Sequence, residues 1–222
     1  PLVSIIIRIK NEERWITSCL KAIFDQDYKN FEVIIVDNNS SDHSRERAKR
    51  FKVKIINIEK FKPGKAINDG IRNSSGEIIV CLSGHCVPTS KNWLSNLIKD
   101  SSNSKIAGVY GRQEPFSFSS DLDKRDLINL FGLDKKIQIK DTFFHNANSS
   151  FTRKIWEKFP FDEKAFFHFL HTFKHFSTIL LCIFRREAPP IFKHFFCILA
   201  AKRRRNILST FFFCISPRSG EK

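Results

Sequence analysis

The sequence of 222 residues contains no run of 18 apolar residues free of charged or polar interruption, so no segment has the composition of a clean membrane span. Its six cysteines, at positions 19, 81, 86, 182, 197 and 214, form no Cys-X-X-Cys pair. That argues against a zinc ribbon and suits a reducing compartment, with a cytoplasmic location as the expectation. Neither Gly-X-Gly-X-X-Gly nor a Walker-type Gly-rich loop ending in Gly-Lys-Ser/Thr occurs, which leaves a dinucleotide fingerprint and a P-loop unsupported. Acidic residues are scarce. The 23 Asp+Glu face 38 Lys+Arg, for a net charge of +15, and that imbalance calls for an anionic partner. Nucleic acid, anionic lipid and a phosphorylated small molecule all satisfy it. Hydrophobic residues at 41% and charged residues at 27% are ordinary for a globular chain, which excludes wholesale disorder. The chain opens on Pro1 rather than Met and is therefore expected to be a fragment.

Residues 1–163 alternate two kinds of pattern. Leu2 to Ile7, Phe31 to Val36, Val53 to Ile58, Glu77 to Leu82 and Ile106 to Tyr110 are short runs rich in β-branched residues, as strands buried on both faces would be. Between them, Trp15, Ile16, Cys19, Leu20, Ile23 and Phe24 recur at helical spacing after Asn11-Glu12-Glu13. Asn39-Ser40-Ser41-Asp42 offers capping residues for a charged helix to about Arg50, and Lys65 to Asn73 and Ser90 to Lys99 read as further helices. The charged stretch Asp121 to Lys140 reads as one more helix, on the solvent side. Strands and helices that alternate over short links predict an α/β fold, with a mostly parallel sheet and helices on both faces.

Ligands on such sheets gather at the carboxyl ends of the strands. Those ends are polar here. Arg8, Lys10 and Asn11 follow the first strand, Asp37, Asn38 and Asn39 the second, Lys62, Gly64 and Lys65 the third, and Ser83, Gly84, His85 and Cys86 the fourth. The cations can hold a diphosphate, and Asp37 can accept hydrogen bonds from a base or ribose. Each set also reads as a plain turn or a solvated charge; their convergence on one edge is what favours a site.

Val3-Ser-Ile-Ile-Ile-Arg-Ile-Lys-Asn-Glu-Glu, Phe31-Glu-Val-Ile-Ile-Val-Asp-Asn-Asn-Ser-Ser-Asp, Gly64-Lys-Ala-Ile-Asn-Asp-Gly and Gly76-Glu-Ile-Ile-Val-Cys-Leu resemble, in order and spacing, segments of the family 2 glycosyltransferases. His145-Asn-Ala-Asn-Ser-Ser-Phe and Trp156-Glu-Lys-Phe-Pro-Phe-Asp-Glu are similar to that family's acceptor-side segment. The resemblance implies a Rossmann-like GT-A fold over 1–163 that binds a nucleotide-diphospho-sugar and passes the sugar to a hydroxyl of a glycan or lipid-linked acceptor. It implies a role in building polysaccharide or cell-envelope glycans, usually with inversion in one displacement. By motif position, Arg8, Lys10, Asn11, Glu12, Asp37, Asn38, Lys65, Asn68 and Ser83 would line the donor site, and Arg112, His145, Asn146 and Asn148 the acceptor cleft. A divalent metal, Mn2+ or Mg2+, would assist the leaving diphosphate. The family's Asp-X-Asp metal motif is replaced here by Ser83-Gly84-His85; His85 is the candidate ligand and could hold Mn2+, and it reads equally as a loop histidine that bonds the backbone or a phosphate. Ser83-Gly-His-Cys-Val-Pro resembles a variant of that motif within such transferases.

A second departure concerns the base. The family places a Glu-Asp pair soon after the Phe-Asp-Glu segment, and no aspartate follows Asp162 in this chain. Composition changes at the same point. Residues 1–163 hold 27 Lys+Arg, 21 Asp+Glu and 12 Phe, whereas 164–222 hold 11, 2 and 12, with no Asp, no Val and Gly220 as the sole glycine. Three readings of this basic, Phe-rich tail stand side by side. A frame shift near Glu163 explains the abrupt end of the resemblance and implies a truncated product, impaired in catalysis. A peripheral membrane tail would use Phe166 to Phe184 with Lys202-Arg-Arg-Arg on anionic headgroups. Nucleic-acid binding would place Lys202–Arg205 on phosphates, although no recognisable module supports it. A non-catalytic nucleotide-sugar-binding remnant with a membrane-surface tail is the alternative function, at the inner face of the membrane.

Overall fold

The structure, a computed structural model, describes residues 1–131, 137–139, 144–163 and 213–215. A six-stranded sheet in the order β3-β2-β1-β4-β8-β6 forms its centre. Strands β1 (Val3–Ile9), β2 (Phe31–Asp37), β3 (Lys54–Asn57) and β4 (Ile78–Ser83) run parallel. Strand β8 (Asn148–Thr152) is antiparallel to β4, and β6 (Val109–Tyr110) is antiparallel to β8. The expected mostly parallel sheet is therefore present, with a reversed strand inserted that the sequence pattern does not announce. Asn-Ser-Ser-Phe-Thr has no apolar alternation; it is buried because strands flank it on both sides.

The two faces of β1 build two cores. Val3, Ile5, Ile7 and Ile9 pack with the apolar stripe of α1 (Ile16–Phe24) and with Trp93, Leu94 and Leu97 of α4 (Trp93–Ile98). Ile6 packs on the opposite side with Ile34, Val36, Cys81 and the Ala66-Ile67-Ile71 stripe of α3 (Pro63–Arg72). A strand with a core on each face reads as a near-continuous apolar run, which is why β1, β2 and β4 are legible in the sequence. Helix α3 lies so close to the sheet that a Cβ on Gly70 would collide with Ile6 Cγ2. The short α2 (Ser44–Ala48) covers α1, and α6 (Arg153–Lys158) follows β8.

Several boundaries differ from the sequence pattern. Strand β1 runs on to Ile9, so Arg8 is part of it, and α1 begins at Ile16 rather than near Asn11. Helix α5 spans Asp121–Phe131, and residues 137–139 are not helical, so the helix expected to Lys140 is shorter. Strands β5 (Cys86–Pro88) and β7 (Gln113–Pro115) are too short to show a pattern. They form a second small sheet on either side of β9 (Phe213–Ile215). Apart from β9, the tail 164–222 and the three readings made of it lie outside the described residues, as do Thr142 and Phe143. Among the described residues no helix is long and apolar enough to cross a membrane.

The segment up to Glu163 is fastened to α3 by one buried side chain. Asn68 Oδ1 accepts from Trp156 Nε1 at 2.8 Å and from the Phe161 amide at 3.2 Å. Its Nδ2 donates to the Phe161 carbonyl and to Glu163 Oε1, both at 2.9 Å. Replacing Asn68 with Ala leaves these groups without their partner. We expect Asn68→Ala to lower the unfolding free energy in urea titration by about 2–4 kcal/mol.

Candidate functional site

Parallel pairing sets the carboxyl ends of β1, β2 and β4 on one edge, with Arg8 in register with both Val36 and Ser83, and Ile9 with Asp37. The loops that leave β1 and β2 are stitched together there. The Asn11 amide donates to Ser40 Oγ at 3.0 Å, and the Ser41 amide donates to Asn11 Oδ1 at 2.8 Å. The Glu12 amide donates to Ser44 Oγ at 2.6 Å, and the Glu13 amide to Asp42 Oδ2 at 3.0 Å. Both loops turn through the left-handed region, at Asn11 (φ 55°) and Asn39 (φ 49°), where asparagine is among the residues that tolerate it. Asp37 is fully buried at the root of this stitch. Its carboxylate accepts from the Ser40 amide and hydroxyl, and Arg45 Nε lies 3.6 Å from it. In this arrangement Asp37 shapes the loop that would border a base or ribose.

Arg8 reaches from β1 across the sheet edge, and its Nη2 donates to the Asn146 carbonyl at 3.3 Å. Desolvation draws its pKa below the ordinary guanidinium value. The group stays charged, and an anion bound beside it would relieve that desolvation. Lys10 Nζ donates to the Asn38 carbonyl at 3.1 Å on the exposed rim. In the turn between β4 and β5, His85 Nδ1 lies 2.8 Å from Glu12 Oε1, and Ser83 is half-buried at the end of β4.

The acceptor-side candidates separate into two groups. His145 meets Gln113, whose Nε2 donates to His145 Nδ1 at 2.6 Å, and the Ala147 amide donates to the same nitrogen at 3.3 Å. Two donors on Nδ1 leave the ring proton on Nε2. Phe131 stands edge-on to the ring at 5.4 Å. Burial, with the charge of Arg8 as a lesser cause, pushes the His145 pKa down to about 4. Asn146 belongs with this group, and its buried Oδ1 has no hydrogen-bond partner among the described residues. Asn148 does not. It is fully buried in β8 and accepts from Trp93 Nε1 at 3.0 Å, a packing role inside the sheet. Arg112 pairs with Glu114 at 3.5 Å.

Two donor-side candidates sit on α3 and make their polar contacts with other parts of the chain. Asn68 is 1% exposed, and its hydrogen bonds hold Trp156, Phe161 and Glu163. It lies on the inner stripe of α3. Lys65 is engaged with Asp69 one turn along α3. Sequence pattern does not single out Gln113, nor an aromatic cluster beside the site. Trp15 stacks on Phe116 at 4.6 Å, Phe116 stacks on Phe118 at 5.1 Å, and Arg14 lies over Trp15 at 4.8 Å. Phe116-Ser-Phe118 is the one available signal, but its partner lies a hundred residues earlier in the chain.

Among the described residues no three His, Cys, Asp or Glu side chains are grouped to hold a metal ion. The donors in the β4–β5 turn are one imidazole and one hydroxyl. An imidazole whose other nitrogen rests on a carboxylate is the usual setting of a metal-bound histidine. His85 is therefore the residue of this turn that could contribute to holding a divalent ion.

The sequence model described as glycosyl transferase family 2 matches residues 4–159. A Methanococcus voltae protein named dolichyl N-acetyl-alpha-D-glucosaminyl phosphate 3-beta-D-2,3-diacetamido-2,3-dideoxy-beta-D-glucuronosyltransferase is 35% identical over 49% of this chain and 38% of its own length. The glycosyltransferase AglE of Haloferax volcanii is 37% identical over 51% of this chain and 40% of its own. The chain thus spans well under half the length of these relatives. Among solved structures, a mannosyltransferase of Pyrobaculum calidifontis in complex with GDP-Man and Mn2+ superposes with a TM-score of 0.58 at 21% identity, covering 73% of this chain and 48% of that one. Staphylococcus aureus TarS with UDP-GlcNAc gives 0.55 at 14%, covering 100% and 60%. Both are likenesses of GT-A fold.

A histidine whose pKa falls from 6.5 unfolded to about 4 folded gives stability that is full above 6.5 and is lost as pH falls toward 4, because the unfolded chain then binds the proton first. We expect the wild type to lose up to about 3 kcal/mol through this group across that window, and His145→Gln to flatten the loss in urea melts recorded from pH 7 to 4.

Proposed function

The chain belongs to glycosyl transferase family 2, and from that premise we propose that it transfers a sugar from a nucleotide-diphospho-sugar to a hydroxyl of a glycan or lipid-linked acceptor. The observation that carries this reading is the convergence of the half-buried Arg8 guanidinium, the Ser83-Gly84-His85 turn and the stitched Asn11 and Ser40 loops on one sheet edge. Charge and placement support a role for each part in this reading. The diphosphate lies against Arg8, where a delocalised cation can take two oxygens at once. The nucleoside lies against the Asp37–Ser40 loop, with Lys10 and Asn38 at its rim. His145, neutral and with its proton on Nε2, can donate to a sugar or acceptor oxygen. When bound at His85, a divalent ion supplies positive charge to the departing diphosphate.

Residues 1–163 act as the donor-binding unit in this reading, and 164–222 as a basic tail whose β9 pairs with β5 and β7 of that unit. Inversion in a single displacement needs a carboxylate that removes the acceptor proton, and the family position for it falls beyond the described residues. The name of the Methanococcus relative puts an acceptor sugar on a dolichyl phosphate. A lipid-borne acceptor of that kind would bring this chain to the inner face of a membrane.

Titration calorimetry with UDP and GDP in the presence of Mn2+ tests the donor site. One of the two should bind saturably, and Arg8→Ala should weaken it about tenfold or more, roughly 1.4 kcal/mol. Failure of both nucleotides to bind overturns the reading. Binding without hydrolysis or transfer of the matching nucleotide-sugar would mark a chain that keeps its donor site and lacks its base.

A further inference from the structure

The loop after β2 and the end of β3 share a relay of side-chain amides. Strand β3 ends at Asn57, in register with Asp37 at the end of β2, and Asn57 Nδ2 donates to Asn39 Oδ1 at 2.8 Å. Arg45 holds the other end. Its Nη1 donates to Asn57 Oδ1 at 3.4 Å, and its Nε lies 3.6 Å from the Asp37 carboxylate. Asn39 has a left-handed backbone, φ 49°, and its neighbour Ser40 is tied to Asp37 through both amide and hydroxyl. Asp37 is fully buried. Its carboxylate is engaged with these partners inside the protein, whereas Asn39 is exposed.

The direction of the relay follows from what each group can do. A guanidinium only donates, so the oxygen of Asn57 must face Arg45. The amide nitrogen of Asn57 then faces Asn39 and, since it too only donates, holds Asn39 by its oxygen. Asn39 Nδ2 keeps both N–H groups, with no hydrogen-bond partner among the described residues. We propose that Asn39 is a specificity-determining residue of the nucleotide site: its amide donates to a carbonyl on the edge of the nucleobase, so the donor carries a keto base. Uracil and thymine present O4 there and guanine O6, whereas cytosine and adenine present an amino group. An amino group against Asn39 Nδ2 would set donor against donor and leave both unpaired, the arrangement by which a polar site rejects a near-isostere. The inference rests on the donor-site reading above and names the class of base that site takes.

Titration calorimetry of the full chain with UDP, CDP, GDP and ADP, all in the same divalent metal, provides the test. Two ratios are read, UDP against CDP and GDP against ADP, because a ratio measured on one protein is not moved by a loss of folded fraction. In the wild type the keto member of the bound pair should bind about tenfold or more tightly than its amino counterpart. Asn39→Gly removes the amide and suits the left-handed backbone, and it should bring that ratio close to one. Asn39→Asp also tolerates this backbone and puts an acceptor in place of the donor. Its added charge should weaken every nucleotide, but the order within the pair should reverse in favour of the amino base. Asn57→Ala, which leaves Asn39 in place and frees its amide to turn over, should shrink the wild-type ratio without reversing it. Equal binding of keto and amino bases by the wild type, or tighter binding of CDP or ADP, overturns the proposal while the donor-site reading stands. An order that Asn39→Gly and Asn39→Asp both leave unchanged does the same. If none of the four nucleotides binds, the donor-site reading fails and the proposal falls with it.

Discussion

Hydrogen bonding along both edges of β1, together with apolar packing on both of its faces, fixes the rest of the molecule in relation to one seven-residue strand. Its neighbours β2 and β4 are held parallel to it in continuous register from Val3 onward. Parallel pairing leaves no freedom in where the chains emerge: all the carboxyl ends appear on one edge. Everything chemically interesting in the domain is appended there, because the strand interiors are committed to the two cores. The α/β sheet thus separates stability, which comes from apolar burial, from function, which is carried by polar residues in loops that the sheet holds in place.

The loops are not left to themselves. Asn11, Glu12 and Glu13 from one and Ser40, Asp42 and Ser44 from the other share a chain of backbone-to-side-chain hydrogen bonds, so each turn serves as the other's cap. The left-handed backbone at Asn11 and Asn39 is what lets these loops face each other. In the proposed reading such a preformed cradle avoids ordering its own groups when a diphosphate binds. The same stitch delivers Glu12 to His85, and Gly84 permits that approach by the absence of a Cβ. Across the edge, a half-buried cation and a neutral histidine sit close enough for the charge of Arg8 to depress the His145 pKa. A neutral imidazole beside a guanidinium can donate or accept a hydrogen bond without adding to the local positive charge.

Much of this architecture is legible in the order of the amino acids. Strands β1, β2 and β4 are near-continuous apolar runs because both their faces are covered, and α1 and α3 show the helical stripe of one covered face. The polar residues after each run mark the functional edge, and the order of the motifs marks the family. The sequence by itself therefore determined the sheet's parallel core, the helices on it and the position of Arg8 and His85 near a common edge, since these depend on patterns repeated every two to four residues. Only the tertiary structure decided that Asn-Ser-Ser-Phe-Thr is a central strand, that Asn68 and Asn148 are packed inside, that Gln113 meets His145, and that Glu12 meets His85. Those partners lie 32 to 95 residues apart, and no local periodicity encodes a contact that exists only once the strand order has brought both ends together.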